Sequence, residues 1–212
     1  MKNTKGFTLV EILVVISIIA ILSAIVTPSA FKIVDKAKAS SVSSDVEAIK
    51  EALFLYYADT GEYPSYSYSG TSRDAFNWIG KSFFITGDPT TNKPSGVNIS
   101  IPSKWDGPYL DSWREKNPFG GYYTVFDYGD WKNNDGVMKG IKKYTDNSRN
   151  FWTEYQGVRI ITIEVGFGSD LTTREKALEI LSNYGDSGRL YYQNYNDGGT
   201  YYYQIIIPIL FE

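Results

Sequence analysis

From Phe7 to Val26 the chain is apolar almost without a break, about 20 residues, FTLVEILVVISIIAILSAIV. That is the length a helix needs to cross a hydrocarbon core of roughly 30 Å. After Pro28 the pattern changes from uniformly apolar to amphipathic. Val42, Val46, Ile49, Leu53 and Tyr56 or Tyr57 recur every three or four positions, with Asp45, Glu47, Lys50 and Glu51 between them, which predicts a helix with one buried stripe. Run together, the two segments predict a single helix from Phe7 to about Ala58, ~75–80 Å long at 1.5 Å per residue. Gly61 and Pro64 end it. Pro28 removes one backbone donor within it, which bends the axis or marks a stop at the membrane exit.

Beyond the helix the periodicity shortens. Residues 65–121 are rich in Ser, Gly, Thr, Pro and aromatics; a short helix is predicted over 74–80 and a short strand over 97–101. Tyr122 to Tyr128 and Val158 to Val165 alternate as strands do, with a polar, Asn- and Lys-rich hairpin or loop between them. Thr172-x-x-Glu175 reads as a capping box opening a second helix, with Ala177, Leu178, Leu181 and Tyr184 as its buried stripe and Gly185 as its end. Arg189 to Gln193 and Thr200 to Ile207 read as paired strands, joined by a loop over Asn194 to Gly199. The expected fold is α+β, a long N-terminal helix packed on an antiparallel sheet, with an additional C-terminal helix.

One residue in the apolar run asks for an explanation. A carboxylate inside a spanning segment costs on the order of 2.5–3.5 kcal/mol on insertion scales, so Glu11 implies a partner. The surrounding residues Gly6-Phe7-Thr8-Leu9-Val10-Glu11, after a short leader with Lys2 and Lys5, resemble the prepilin signal of type IV pilins and type II secretion pseudopilins. The resemblance implies cleavage between Gly6 and Phe7 by a prepilin peptidase, N-methylation of Phe7, and an assembly role for Glu11, which compensates the terminal amine of a neighbouring subunit. Phe7 and Glu11 also share a helical face, at the positive end of the helix dipole. A buried ion pair of this kind selects alignment more than it adds stability. Pro28 stands where pilins commonly carry a proline, the resemblance implies that Ala20 to Pro28 partly unwinds in an assembled filament, and Gly61-Glu62-Tyr63-Pro64 also resembles the family pattern.

On this resemblance the segments are a leader (1–6), a transmembrane or filament-core half-helix (7–27), an amphipathic half-helix (28–58), a connecting region (59–120) and a β-rich head (121–212). The resemblance implies a structural subunit that polymerises through its N-terminal helix into an extracellular type IV pilus. The alternative is a major pseudopilin of a type II secretion system; the second alternative is a membrane-anchored adhesin or carbohydrate-binding module that never polymerises. Implied partners are further copies of the chain in a helical homopolymer, the peptidase, the assembly platform and minor pilins, and the membrane before assembly. The implied location is the inner or cytoplasmic membrane as a single-pass precursor, then the cell surface. A secretory signal peptide fits less well, because its core is shorter and Pro28-Ser29-Ala30 is a poor small-x-small site. An ordinary anchor leaves Glu11 unexplained. Lys32, Lys36 and Lys38 balance the leader lysines, so orientation follows from the resemblance rather than from charge.

Composition narrows the chemistry. The chain has no cysteine, which excludes disulfides, thiolate sites and lipid acylation and places it beside cysteine-free Gram-positive-type pilins or major pseudopilins. It has no histidine, the commonest general base and metal ligand. Removing the leader takes the formal charge from −3 to −5, a poor balance for binding nucleic acid. No catalytic constellation stands out, and no enzyme activity or cofactor is expected. Asp127, Asp130, Asn133 and Asp135 are hard oxygen ligands without EF-hand spacing, a weak calcium candidate. Gly166 to Asp170 reads as a strand-to-helix turn before an anion site. Tyr191, Tyr192, Tyr195, Tyr201, Tyr202 and Tyr203 read as strand residues sharing a core before a glycan surface. Lys139, Lys142 and Lys143 read as a solvated edge.

Overall fold

The structure is a computed structural model that describes residues 6–62, 64, 66–68, 82–87, 97–99, 101–114, 116–127, 142–144, 161–182, 190–197 and 200–209. It divides into two units, Met1–Lys38 and Ala39–Glu212. One helix, α1 (Leu9–Thr60), contributes to both. The helix is continuous at Pro28, so the reading of this proline as a stop is corrected. The missing donor leaves the Ala24 carbonyl without its partner four residues on, and the helical hydrogen bonds of the turns before and after it carry the helix across.

In the first unit no large apolar side chain of α1 finds cover: Phe7, Leu9 and the Val, Ile and Leu residues through Val34 are all exposed. The segment is long and apolar enough to cross a membrane. Two of its hydroxyls donate within the helix, Ser17 Oγ to the Leu13 carbonyl (2.7 Å) and Thr27 Oγ1 to the Ser23 carbonyl (2.6 Å). That is the arrangement an apolar solvent demands.

The second unit is built on the remainder of α1. Ala39, Val42, Val46, Ile49, Leu53 and Tyr56 are buried at alternating spacings of three and four, the expected stripe, with Tyr56 inside and Tyr57 outside. Gly61, at φ 73°, ends the helix, its N–H donating to the Tyr57 carbonyl (2.8 Å). A two-stranded sheet follows, β1 (Tyr66–Tyr68) against β2 (Val97–Ile99), and between them a π-helical turn, Ser82–Thr86. The Phe84 carbonyl accepts from the N–H groups of Tyr109 and Leu110. Aromatic edges then pack Tyr56 against Phe84 and Tyr109, and Phe84 stacks on Trp113. This aromatic wedge fixes residues 101–114 beside α1. The short helix expected over 74–80 lies outside the described residues.

The main sheet has the order β3-β5-β7-β6-β4, every pair antiparallel: β3 (Tyr123–Asp127), β4 (Lys142–Lys143), β5 (Ile161–Gly166), β6 (Tyr191–Asp197) and β7 (Thr200–Ile209). A second helix, α2 (Leu171–Ser182), connects β5 to β6. Cross-strand register assigns the faces. Tyr123, Val165, Ile205 and Tyr192 stand opposite one another in turn, and with Ile163 and Ile209 they form the face that packs on both helices. The other face carries Thr162, Glu164, Ile206, Tyr191 and Gln193, and it is buried too.

Three expectations for the C-terminal half are corrected. The cap of α2 is Asp170, not Thr172: Asp170 Oδ1 accepts from the Thr173 N–H (2.9 Å) and Oδ2 from its hydroxyl (2.5 Å). The helix thus begins two residues earlier than the Thr-x-x-Glu spacing suggests. Strand β6 continues through Asn194 to Asp197, because Asp197 pairs with Thr200 and only two residues join the strands; a tight hairpin takes the place of the expected loop. Strand β7 runs through Pro208. Among the described residues its pairing with β6 stops at Ile206, and Pro208 stands opposite Thr162 of β5.

Candidate functional site

The prepilin-type segment lies at the start of α1. Gly6, Phe7 and Thr8 precede the helix and are exposed. Thr8 and Glu11 cap it reciprocally. The Thr8 N–H and hydroxyl both donate to Glu11 Oε2 at 2.8 Å, and the Glu11 N–H donates to Thr8 Oγ1 at 3.2 Å. This is a capping box, which the sequence reading of Glu11 missed although the Thr-x-x-Glu spacing was legible at 8–11. Glu11 therefore has a partner within its own chain. One carboxylate oxygen is held by Thr8; Oε1 accepts no hydrogen bond from any described residue.

Gly6 is free of crowding. A Cβ built on it meets nothing within 4 Å, so no contact in the described chain requires a glycine here. The Gly6–Phe7 bond lies outside the helix, which begins at Leu9.

A second polar site joins α1 to the sheet within the second unit. Asp45 Oδ2 accepts from the Tyr123 hydroxyl (2.6 Å) and from Arg114 (2.9 Å), and the same Arg114 nitrogen donates to Ser41 Oγ (2.8 Å). Burial, followed by the Asp45 carboxylate, pushes the Tyr123 phenol pKa up, so the hydroxyl remains a donor. Asn117, almost fully buried, ties the chain at the entry to β3. Its Nδ2 donates to the Gly166 carbonyl (2.8 Å), and its Oδ1 accepts from the N–H groups of Phe119 (2.9 Å) and Gly121 (3.2 Å). The stretch Asn117 to Tyr123 resembles the family's run into the first sheet strand, but the contacts of neither site were legible in the sequence.

The remaining candidates are placed as follows. Asp127 ends β3, while Asp130, Asn133 and Asp135 lie outside the described residues; among the described residues no group of three or more acids could hold a metal. Gly166 to Asp170 forms the turn from β5 into α2, closed by the Phe167 N–H on the Tyr203 carbonyl and the Tyr203 N–H on the Gly168 carbonyl, both 2.8 Å. Lys142 and Lys143 are the edge strand β4; Lys139 lies outside the described residues. Of the tyrosine cluster, Tyr191 is fully buried and Tyr192 and Tyr203 lie under the Arg174 guanidinium. The side chains of Tyr195, Tyr201 and Tyr202 lie outside the described residues.

Two family models match the chain. The prokaryotic N-terminal methylation motif covers residues 1–27, and the family described as PilW, C-terminal, covers residues 33–138, half of the chain. The chain belongs to the pilin and pseudopilin family. Members are structural subunits, and the methylation motif with its apolar helix marks this pilin-family protein as a membrane-anchored precursor. Among its relatives is type II secretion system core protein G of Pseudomonas aeruginosa, 42% identical over 64 residues, 30% of this chain and 45% of the relative. The protein of the same name from Klebsiella michiganensis shows the same identity and coverage. That from Aeromonas hydrophila is 28% identical over 109 residues, 51% of this chain and 72% of the relative. The chain spans less than half the length of the first two relatives. No solved structure matches it.

Proposed function

We propose that the protein is a major pseudopilin of a type II secretion system: a subunit trimmed after Gly6, N-methylated on Phe7, and polymerised through α1 into a filament within the cell envelope. The relatives named core protein G support this reading over the extracellular pilus expected from the signal alone. The observation that carries it is Glu11, retained in an apolar helix with one carboxylate oxygen capped by Thr8 and the other without a hydrogen bond from any described residue.

The chemistry follows from that arrangement. Cleavage creates an ammonium at Phe7, and a carboxylate in oil needs such a partner. Thr8 satisfies Oε2 and holds the side chain in one rotamer. Oε1 is then offered to the terminal amine of an arriving copy, while the exposed apolar side chains from Leu9 to Val34 find cover against other helices. The missing hydrogen bond at Pro28 gives α1 a place to extend during packing. The partners on this reading are further copies, a prepilin peptidase, and an assembly platform with minor subunits in the membrane.

Substitution Glu11→Ala tests the reading in cells that make the protein and its assembly machinery. Filaments recovered from the envelope should be lost while the subunit stays in the membrane fraction. Normal filaments from Glu11→Ala would contradict the assembly role.

A further inference from the structure

Helix α1 carries two exposed charged pairs of opposite sign and identical spacing, one in each unit. Lys32 and Lys36 are four residues apart and exposed, and neither forms an ion pair with a described residue, Asp35 between them included. Fifteen residues further on, Glu47 and Glu51 repeat that spacing as carboxylates. Both are exposed, away from the stripe buried against the sheet; Glu51 has no ion-pair partner among the described residues, and Glu47 has only Lys50, at 3.5 Å on the surface. Residues four apart stand one above the other on a helix. Each pair is therefore a short vertical stripe of like charge, and among the described residues only Glu47 has an ion-pair partner, the surface contact with Lys50.

Resting on the self-assembly proposed above, we propose that Lys32 and Lys36 of one copy pair with Glu47 and Glu51 of a second copy, which sets a stagger of fifteen residues between neighbouring α1 helices. The equal spacing is what selects this offset. A stagger of fifteen satisfies both pairs at once, whereas eleven brings together only Lys36 with Glu47, and nineteen only Lys32 with Glu51. The mature chain has a formal charge of −5 after loss of Lys2 and Lys5, so copies repel at long range and need local complementarity. A single exposed ion pair contributes little. Two formed together, and repeated at every subunit, bias the register of helices already held by apolar contact. Anionic lipid headgroups are the competing occupant of the lysine pair.

The absence of cysteine allows a direct test. In a Lys36→Cys, Glu51→Cys variant the two thiols of one chain are fifteen residues apart on a helix, far beyond the ~7 Å limit between Cα atoms for a disulfide. A bond can form only between copies. Mild oxidation of isolated filaments should give a ladder of multimers on a non-reducing gel, and each single variant should stop at dimer. Filaments of the double variant that remain monomeric overturn the inference while leaving assembly intact. Failure of the wild type to form filaments removes the proposed function and this inference with it. Charge reversal provides the independent arm. Lys32→Glu with Lys36→Glu, or Glu47→Lys with Glu51→Lys, should lower filament yield several-fold, the four changes together should restore it, and raised salt should shrink the differences. Equal yields in all three overturn the inference. So does a lysine reversal that impairs only membrane insertion, because the lysines then serve lipid.

Discussion

Asn117 shows how much one buried amide can hold. Three hydrogen bonds satisfy its side chain, all to backbone groups of the β3 entry or of Gly166 at the end of β5. Asn117→Ala leaves those groups buried and unpaired and should destabilise the head by about 2–4 kcal/mol, read by urea unfolding of the detergent-solubilised protein. Gly121 beside it tolerates no side chain, since a Cβ there falls 1.6 Å from the Gly166 carbonyl oxygen. Arg174 is the opposite case, a buried charge with modest support. Its guanidinium lies over the rings of Tyr192 and Tyr203 at 4.8 and 5.2 Å, pairs with Asn194 and the exposed Glu175, and leaves Nε without a partner. Replacing a weakly compensated buried ion by an apolar residue of similar length is often neutral or stabilising. Thermal unfolding should therefore find Arg174→Met at least as stable as wild type, and Arg174→Lys, which cannot lie flat on two rings, less stable.

At the scale of elements, each helix reads its sequence differently. The stripe of α1 was legible because one helix face is buried and the other is not. Leu53→Ala, fully buried, should cost about 2–5 kcal/mol, while Leu55→Ala on the exposed side should stay within about 0.5 kcal/mol; parallel denaturation curves decide this. The start of α2 was misplaced because Thr-x-x-Glu occurs inside it, downstream of an acid that caps better. Asp170→Ala should lower stability by about 1 kcal/mol, with Thr172→Ala nearly silent. The same motif went unread at Thr8, where the interest of a charge in an apolar run hid its spacing. Strand ends were misjudged where Asn, Gly and Pro suggested turns, since pairing partners, invisible to a local pattern, decided the outcome. The ties at Asn117 and Asp45 join residues 49 to 78 positions apart, a separation over which local spacing carries no signal.

The whole molecule combines a head that buries its own apolar core with an N-terminal segment that does not bury its own surface. In the described head, capped helices, a sheet buried on both faces and backbone ties through Asn117 meet the requirements of folding within one chain. In the N-terminal segment the apolar side chains through Val34 are exposed, and Glu11 has an oxygen to spare. A surface of that kind is stable only in lipid or against other copies, and on the proposed function cleavage after Gly6 permits the passage from one to the other. Intact-mass spectrometry of the protein purified from envelope filaments tests this most directly. A polypeptide that begins at Phe7 and carries one added methyl group is the predicted result; a filament subunit that still begins at Met1 would contradict the account.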